Sequence, residues 1–179
     1  MLADYKSTLT LPETKFPMRA NLATREVERL QHWDKLNVYA KLMEQTANEK
    51  KYIMHDGPPF TNGDVHMGHL SNRNLKDIVV RYKSMRGFHA PMIPGWDCHG
   101  LPIEQKVMKE LQAEGKTLTP GELRRRCQEF SQANIDKMTE QFKRQGLLAD
   151  WTHAYKTMAP AYEATTIRAF AAFVEQGLV

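Results

Sequence analysis

The chain has 179 residues, of which 41% are apolar and 26% are charged. The apolar fraction is enough for one hydrophobic core, and the charged fraction is too high for a membrane protein. No apolar run reaches the roughly 20 residues that cross a bilayer, the first residues lack a secretory signal, and two cysteines do not make a disulfide framework. We therefore expect a soluble cytoplasmic protein, and its net charge of +4 permits a polyanionic partner without requiring one.

Residues 1–50 are predicted to form an N-terminal arm followed by a helix. The arm extends to about Arg19, because Pro12 and Pro17 interrupt regular structure. From about Asn21 onward, apolar residues recur at helical spacing, namely Leu22, Val27, Leu30 and Trp33.

Residues 51–179 are predicted to form an α/β domain that begins with a strand, a helix and a second strand. Residues 51–55 indicate a short buried strand, and residues 88–93 a second one that stops at Pro94-Gly95. The helix between them ends at Gly87, and its apolar stripe consists of Leu70, Leu75, Ile78, Val79, Tyr82 and Met85. These lengths predict a parallel βαβ unit whose two loops meet at the sheet edge where open α/β folds bind ligands.

Three further helices are predicted in the rest of the chain. The first covers residues 103–112, and the last begins at Pro160. The middle helix starts at the capping pattern Thr119-Pro120-Gly121-Glu122 and ends at Gly146. Its apolar stripe, which is predicted to be core, consists of Leu123, Cys127, Phe130, Met138 and Phe142. The basic cluster Arg124-Arg125-Arg126 is interpreted as a solvated helix face in preference to an RNA contact.

The loop at residues 55–69 has the composition of a nucleotide-binding site. Its glycines and prolines let the backbone approach phosphates, the helix that follows offers free N–H groups and a positive dipole end, and two histidines add further donors. The alternative is an ordinary Gly/Pro turn followed by two surface or capping histidines.

The motifs of both loops resemble the class I aminoacyl-tRNA synthetases. Asn62-Gly63 followed by His66-Met67-Gly68-His69 is similar to their HIGH signature, with Met67 in place of the usual isoleucine. Residues 95–104 resemble the isoleucine-specific members in particular, as do residues 4–9, 16–19, 150–151 and 155–158. The resemblance covers only the N-terminal part of that family, and it implies the first half of a Rossmann-like (HUP) nucleotide-binding fold.

The reaction that the resemblance implies is ATP-dependent activation of L-isoleucine followed by transfer to tRNA(Ile). The amino-acid carboxylate attacks the α-phosphate of ATP, which carries Mg2+, so no protein nucleophile is needed and catalysis consists of positioning and charge stabilisation. The resemblance further implies a monomer that does not bind membranes, most tRNA contacts outside this chain, and zinc only in parts of the family protein that this chain does not include.

The resemblance also assigns roles to residues of the two loops. His66 and His69 are the catalytic residues and face the triphosphate. The other residues expected to bind ATP are Pro59, Asn62, Gly63 and Gly68, the last because a missing side chain lets adenine lie against the backbone. Gly57 and Pro58 are expected to contact the amino acid, and Asp97 to pair with its ammonium group, since a buried cation needs a carboxylate.

Each of the amino-acid-binding assignments has a structural alternative. Pro58 can simply stiffen a turn, and Asp97 can cap the helix that follows it. Trp96 is interpreted as a packing residue, and Cys98 and His99 receive no catalytic role.

Other kinds of site match the sequence less well. A metal site built from His66, His69, Cys98 and His99 has poor spacing for zinc, so no metal is predicted. Neither G-x-G-x-x-G nor G-x4-G-K-[ST] occurs. The lysine-rich second loop of the family (KMSKS) is also missing, so we do not expect this chain to complete aminoacylation alone. The alternative is a folded, non-catalytic fragment that binds nucleotide weakly.

Overall fold

The computed structural model describes residues 8–10, 15 and 19–179, so the predicted arm lies mostly outside the described residues, as do most of residues 4–9 and 16–19. The described residues form helices around a small parallel sheet. In chain order the elements are α1 (Leu22–Leu36), α2 (Val38–Gln45), α3 (Met67–Met85), β1 (Gly95–Trp96), α4 (Leu101–Ala113), α5 (Pro120–Arg144), β2 (Tyr155–Lys156) and α6 (Pro160–Glu175). None of the helices within these described ranges combines the length and apolar character needed to cross a bilayer.

The predicted N-terminal helix is confirmed, but it is divided into α1 and α2 by Asn37. This residue has φ 51° and ψ 51°, the left-handed conformation that asparagine tolerates better than most residues. Leu30 and Trp33 on α1 are half-buried, and the Arg81 guanidinium lies 5.3 Å from the centre of the Trp33 ring. The break therefore lets α1 contact α3 while α2 takes a different direction.

Parallel pairing is confirmed, although the strands are shorter than predicted. In β1 and β2, Gly95 lies opposite Tyr155, and Trp96 lies opposite Lys156. Residues 51–60 run along the other side of residues 89–97, where only Lys51–His89 and Phe60–Asp97 form isolated parallel bridges. The predicted strands at 51–55 and 88–93 are thus extended segments that lack a continuous ladder.

Prolines and one carboxylate explain why the ladder is interrupted. A proline cannot donate to a ladder, and four of them lie in the two paired segments: Pro58, Pro59, Pro91 and Pro94. Between the bridges, the Gly95 N–H donates to Asp56 Oδ2 at 3.0 Å, so a side chain replaces a backbone acceptor. The prediction that the second strand stops at Pro94 was wrong, because the Pro94 carbonyl still accepts from the Tyr155 N–H at 3.0 Å.

The apolar stripe of α3 is not the face that this helix buries. Four members of the apolar stripe are at least half-exposed, namely Leu75, Ile78, Tyr82 and Met85. Arg73 and Val80 are the buried residues of this helix. The face turned inward is rich in charge, and it is buried because Arg73 and Lys76 pair with a carboxylate inside the molecule.

The core lies between α5, the β1 segment and the chain that follows α5. One cluster consists of Trp96, Cys98, Ile135, Met138 and Phe142, and the other of Val80, Ala90, Met92 and Ala149. Trp151 packs against both clusters. The packing role predicted for Trp96 is confirmed, since 1% of this residue is exposed.

The helices after β1 begin and end close to their predicted positions. The helix predicted at 103–112 is α4, which begins two residues earlier and packs on α5. At the start of α5, the Thr119 N–H donates to Glu122 Oε2 at 2.8 Å, which confirms the capping box. The predicted last helix is α6, which has no buried residue.

Two details of α5 differ from the prediction or refine it. The prediction that Cys127 is core was wrong: Cys127 is half-buried, and the buried residues of α5 begin at Ser131, one turn further on. In the basic cluster, Arg124 and Arg125 are exposed, whereas Arg126 lies 3.5 Å from Glu110 on α4. The arginines thus belong to a solvated helix face with one interhelical ion pair.

Candidate active site

The two motif loops lie side by side. The Asp97 N–H donates to the Pro59 carbonyl at 2.9 Å, and the Asp97 carbonyl accepts from the Thr61 N–H at 3.0 Å and from its hydroxyl at 3.1 Å. Thr61 is fully buried. His66 follows Thr61 by five residues, so the chain holds it within about 18 Å of the Thr61–Asp97 pair.

His66 and His69 together cap the start of α3. His66 Nδ1 accepts from the Gly68 N–H at 3.1 Å and from the His69 N–H at 3.4 Å, while the His66 N–H donates to His69 Nδ1 at 3.4 Å. Their rings are stacked, with centres 3.6 Å apart. Because each Nδ1 accepts, these contacts assign the proton of each neutral ring to Nε2. Both Nε2–H groups lack a partner among the described residues.

The environment of His69 favours its neutral form. Partial burial lowers the pKa of His69 below its ordinary value, and electrostatic interactions with His66 and Arg73 lower it further. His69 at neutral pH is therefore a hydrogen-bond donor through Nε2 and carries no charge.

Gly68 is a glycine for a reason that the sequence did not indicate. A β-carbon at this position would lie 3.0 Å from His66 Cε1 and 3.1 Å from His66 Nδ1. Real β-carbons rarely come this close to other atoms, so a side chain at residue 68 would displace the His66 ring from its capping position by a few tenths of an ångström.

Side chains from α4 and α5 hold the loop between Thr61 and His66. The Val65 N–H donates to Gln141 Oε1 at 2.8 Å, and Asp64 accepts from Gln141 Nε2 and Lys137 Nζ, each at 2.7 Å. The Lys137 hydrogen bond is the main reason why the pKa of Asp64 is lowered. Lys106 on α4 donates to the Asn62 carbonyl. The turn is thus anchored by residues more than forty positions away in the sequence.

Asp97 does not cap the next helix. The N-cap of α4 is Gly100, which has no side-chain cap, and the Asp97 carboxylate instead accepts from the His99 N–H at 3.4 Å. Asp97 is half-buried, and its charge is one of the smaller causes that raise the pKa of Tyr155, after burial. The carboxylate therefore lies near β2, and the described part of the chain gives it one weak hydrogen bond, from the backbone.

The prolines of the first loop follow a buried charge that sequence reasoning missed. Pro58 and Pro59 are half-buried, and Gly57 is exposed. Asp56, directly before them, is 1% exposed and pairs with Arg73 and Lys76 of α3. The available signal was an aspartate placed inside an apolar segment, where a charge needs a partner.

The four residues of the metal alternative are not brought together. Cys98 is buried with its Sγ 3.5 Å from the Trp96 carbonyl oxygen, and burial raises the pKa of its thiol. His99 Nε2 lies 3.2 Å from the Thr157 carbonyl oxygen and 3.4 Å from Glu163. Within the described part of the chain, no three His, Cys, Asp or Glu side chains form a metal-binding group.

A cleft of about 780 Å³ opens beside the second loop, between α4, α5 and α6. Ile103, Leu123 and Ile167 form apolar parts of its wall, and Arg124 and Glu104 contribute charges. Cys127, which was predicted to be core, lines this cleft.

Comparison with known proteins agrees with the motifs. The family model described as tRNA synthetases class I (I, L, M and V) matches residues 28–179. Isoleucine–tRNA ligases of Caldicellulosiruptor bescii and Shewanella halifaxensis are each 48% identical to this chain over 98% of its residues. The chain spans 19% of the length of these relatives.

A solved structure supports the same fold. The LeuRS of a LeuRS–tRNA–LeuAMS ternary complex from Agrobacterium radiobacter superimposes with a TM-score of 0.67, covering 89% of this chain and 18% of that chain, at 23% identity. The small parallel sheet with helices thus corresponds to part of a Rossmann-like fold, as predicted. With the family model matching most of its residues, the chain belongs to the class I tRNA synthetases of the I, L, M and V group.

Proposed function

We propose that this chain supplies the ATP-binding and amino-acid-binding loops of an isoleucine–tRNA ligase, which activates L-isoleucine with ATP and transfers it to tRNA(Ile). The observation that carries the proposal is the pairing of residues 59–61 with Asp97, which joins the histidine loop to the carboxylate loop at one end of the sheet. The name shared by the relatives at 48% identity supports isoleucine as the amino acid.

In this proposal the two histidines act on the triphosphate. Their Nδ1 atoms are used in the cap, which leaves both Nε2–H groups as donors for phosphoryl oxygens. Hydrogen-bond donors that are already in position stabilise the charge that develops on the phosphoryl group, because the protein does not have to reorganise during the reaction. Pro59, Asn62, Gly63 and Gly68 supply the backbone surface for the nucleotide, and the Mg2+ that accompanies ATP is not assigned a ligand in this chain.

The amino acid lies beside Gly57, Pro58 and Asp97 in this proposal. The Asp97 carboxylate pairs with the ammonium group of isoleucine, since its one side-chain hydrogen bond among the described residues is the weak His99 contact at 3.4 Å. Pro58 offers a rigid apolar surface to the branched side chain. The carboxylate of isoleucine is then free to attack the α-phosphate and displace pyrophosphate, which forms isoleucyl-adenylate with no covalent enzyme intermediate.

The experiment compares Asp97→Ala with the unsubstituted chain in calorimetric titrations. Loss of a charged hydrogen bond is expected to weaken binding of a sulfamoyl analogue of isoleucyl-adenylate about tenfold to a hundredfold, while affinity for ATP changes less than about twofold. Asp136→Ala is the control, because this exposed carboxylate lies on α5 and accepts from Gln132. Equal losses for both ligands would contradict the role of Asp97.

Isoleucine-dependent ATP–pyrophosphate exchange distinguishes the two functions considered. Exchange above the level of the His66→Ala/His69→Ala variant would support adenylate formation by this chain. ATP binding with exchange equal to that variant would support the alternative, a nucleotide-binding part that does not catalyse. A chain that binds neither ATP nor the analogue would overturn the proposal.

A further inference from the structure

A buried carboxylate connects the two loops to the helix that carries the histidines. The side chain of Asp56 is fully buried. Its Oδ2 pairs with Arg73 and accepts from the Gly95 N–H at 3.0 Å, and its Oδ1 accepts from Lys76 Nζ at 2.8 Å. Donors from α3 and β1 thus converge on one residue of the first loop.

Further contacts close this network on itself. The Arg73 guanidinium donates to the Gly95 carbonyl at 3.2 Å and lies 5.0 Å from the centre of the Phe142 ring. The Tyr155 hydroxyl of β2 donates to the Asp56 carbonyl at 2.5 Å. Burial lowers the pKa of Arg73, and the charge of Asp56 opposes that shift. Asp56 therefore holds a buried cation and both strands at fixed positions.

The network is adjacent to each group of proposed site residues. Asp56 directly precedes Gly57, Gly95 comes two residues before Asp97, and Arg73 lies one helical turn after His69. Resting on the proposed function, we propose that Asp56 is a positioning residue, which sets the distance between the amino-acid-binding residues and the histidines. It touches neither substrate and acts through the elements that it joins.

A second carboxylate on α3 provides a matched control. Asp77 pairs with Arg81 at 2.5 Å and accepts from the Leu148 N–H at 3.1 Å. It is partly buried and contributes to stability, but it joins α3 to the segment after α5, away from both loops. A role limited to stability predicts the same result for Asp56→Asn and Asp77→Asn.

The experiment measures two ligands in calorimetric titrations of the full chain: ATP, which contacts one loop, and the sulfamoyl analogue of isoleucyl-adenylate, which contacts both. In Asp56→Asn, affinity for the analogue is expected to fall about tenfold or more while affinity for ATP changes less than about threefold, because misplacement penalises the ligand that spans both loops. In Asp77→Asn, the ratio of the two affinities stays within about twofold of the unsubstituted value, although the midpoint of urea unfolding falls.

Lys76→Met serves if Asp56→Asn does not fold, since the Lys76 side chain is 18% exposed and its loss leaves the Asp56–Arg73 pair in place. In Lys76→Met, the ratio of the affinity for the analogue to the affinity for ATP is expected to fall about threefold, as in Asp56→Asn but less. An unchanged ratio in every folded variant, with normal binding by the unsubstituted chain, would overturn this proposal alone. Failure of the unsubstituted chain to bind either ligand would overturn the proposed function and this proposal with it.

Discussion

The His66 ring lies above Gly68, in the space that a β-carbon at residue 68 would need. Family resemblance explains the glycine by contact with adenine, whereas the structure supplies an intramolecular reason that holds without any ligand. The His66 ring, which caps α3, thus limits which residue types fit at position 68.

Gly68→Ala is predicted to separate stability from binding. Alanine is favoured over glycine in helices by about 1 kcal/mol, and displacement of the His66 cap costs about the same, so the free energy of unfolding is expected to change little. Affinity for the adenylate analogue is expected to fall about tenfold, because the displaced ring no longer presents Nε2. Urea unfolding and calorimetry measure the two quantities.

Gly121→Ala is the matched control for this prediction. Gly121 is the second residue of α5, as Gly68 is the second residue of α3, and a β-carbon at Gly121 would meet nothing within 4 Å. This variant is expected to gain up to about 1 kcal/mol of stability and to bind the analogue normally. A gain of the same size in Gly68→Ala, with normal binding, would contradict the steric role of His66.

The lowered pKa of His69 predicts how stability depends on pH. Burial, then His66 and Arg73, lower the pKa below the ordinary 6.5, so the unfolded chain takes up this proton at a higher pH than the folded chain. The free energy of unfolding therefore falls as the pH drops below about 6.5. His69→Gln removes the titration and keeps a residue suited to the capping box. In urea unfolding between pH 8 and pH 5, the unsubstituted chain is expected to lose stability relative to His69→Gln. Parallel pH profiles would contradict the shift.

The sequence indicated candidate site residues through loop composition and a family resemblance. The glycines and histidines of residues 57–69 and the carboxylate of Asp97 are local signals, and the structure brings the two loops together. Asp56, Arg73 and Gln141 were missed because each acts through a partner distant in the chain. Gln141, for example, holds Val65 across 76 positions, and no local pattern encodes such a pair.

At the scale of elements, helices were predicted better than strands. Capping residues and turn glycines are local, so α4, α5 and α6 begin and end close to their predicted positions. The paired segments depend on hydrogen bonds to distant residues and contain prolines, so apolar runs alone placed the ladder too early in the chain. Asn37 illustrates the converse, since its left-handed conformation interrupts an apolar pattern that remains helical on both sides.

The buried face of α3 differs from its apolar stripe for a physical reason. Apolar periodicity locates a face but does not say whether that face turns inward. In α3 the competing face carries Arg73 and Lys76, whose burial is compensated by Asp56. Once these charges are buried, removing one partner costs about 3–5 kcal/mol, because it leaves an unpaired charge inside the molecule.

At the scale of the whole molecule, two helices leave apolar faces uncovered among the described residues. On α3, Leu75, Ile78, Tyr82 and Met85 are 50–78% exposed. On α6, Ile167, Phe170, Phe173 and Val174 are 49–68% exposed. Contiguous exposed apolar side chains are unusual in a monomeric protein, and they mark surfaces that contact other molecules.

These exposed faces predict that polar substitutions on them are tolerated. Ile78→Glu is expected to change the free energy of unfolding by less than about 0.5 kcal/mol, as for other surface positions, and to lower the fluorescence of the apolar dye ANS bound to the native chain. Val80→Glu, two residues further along α3, is the control, because Val80 is 5% exposed. Burying an unpaired charge there is expected to cost about 3 kcal/mol or more. Equal destabilisation by both substitutions in urea unfolding would mean that Ile78 is covered in solution, and unchanged dye fluorescence in Ile78→Glu would mean that the dye does not bind this face of α3.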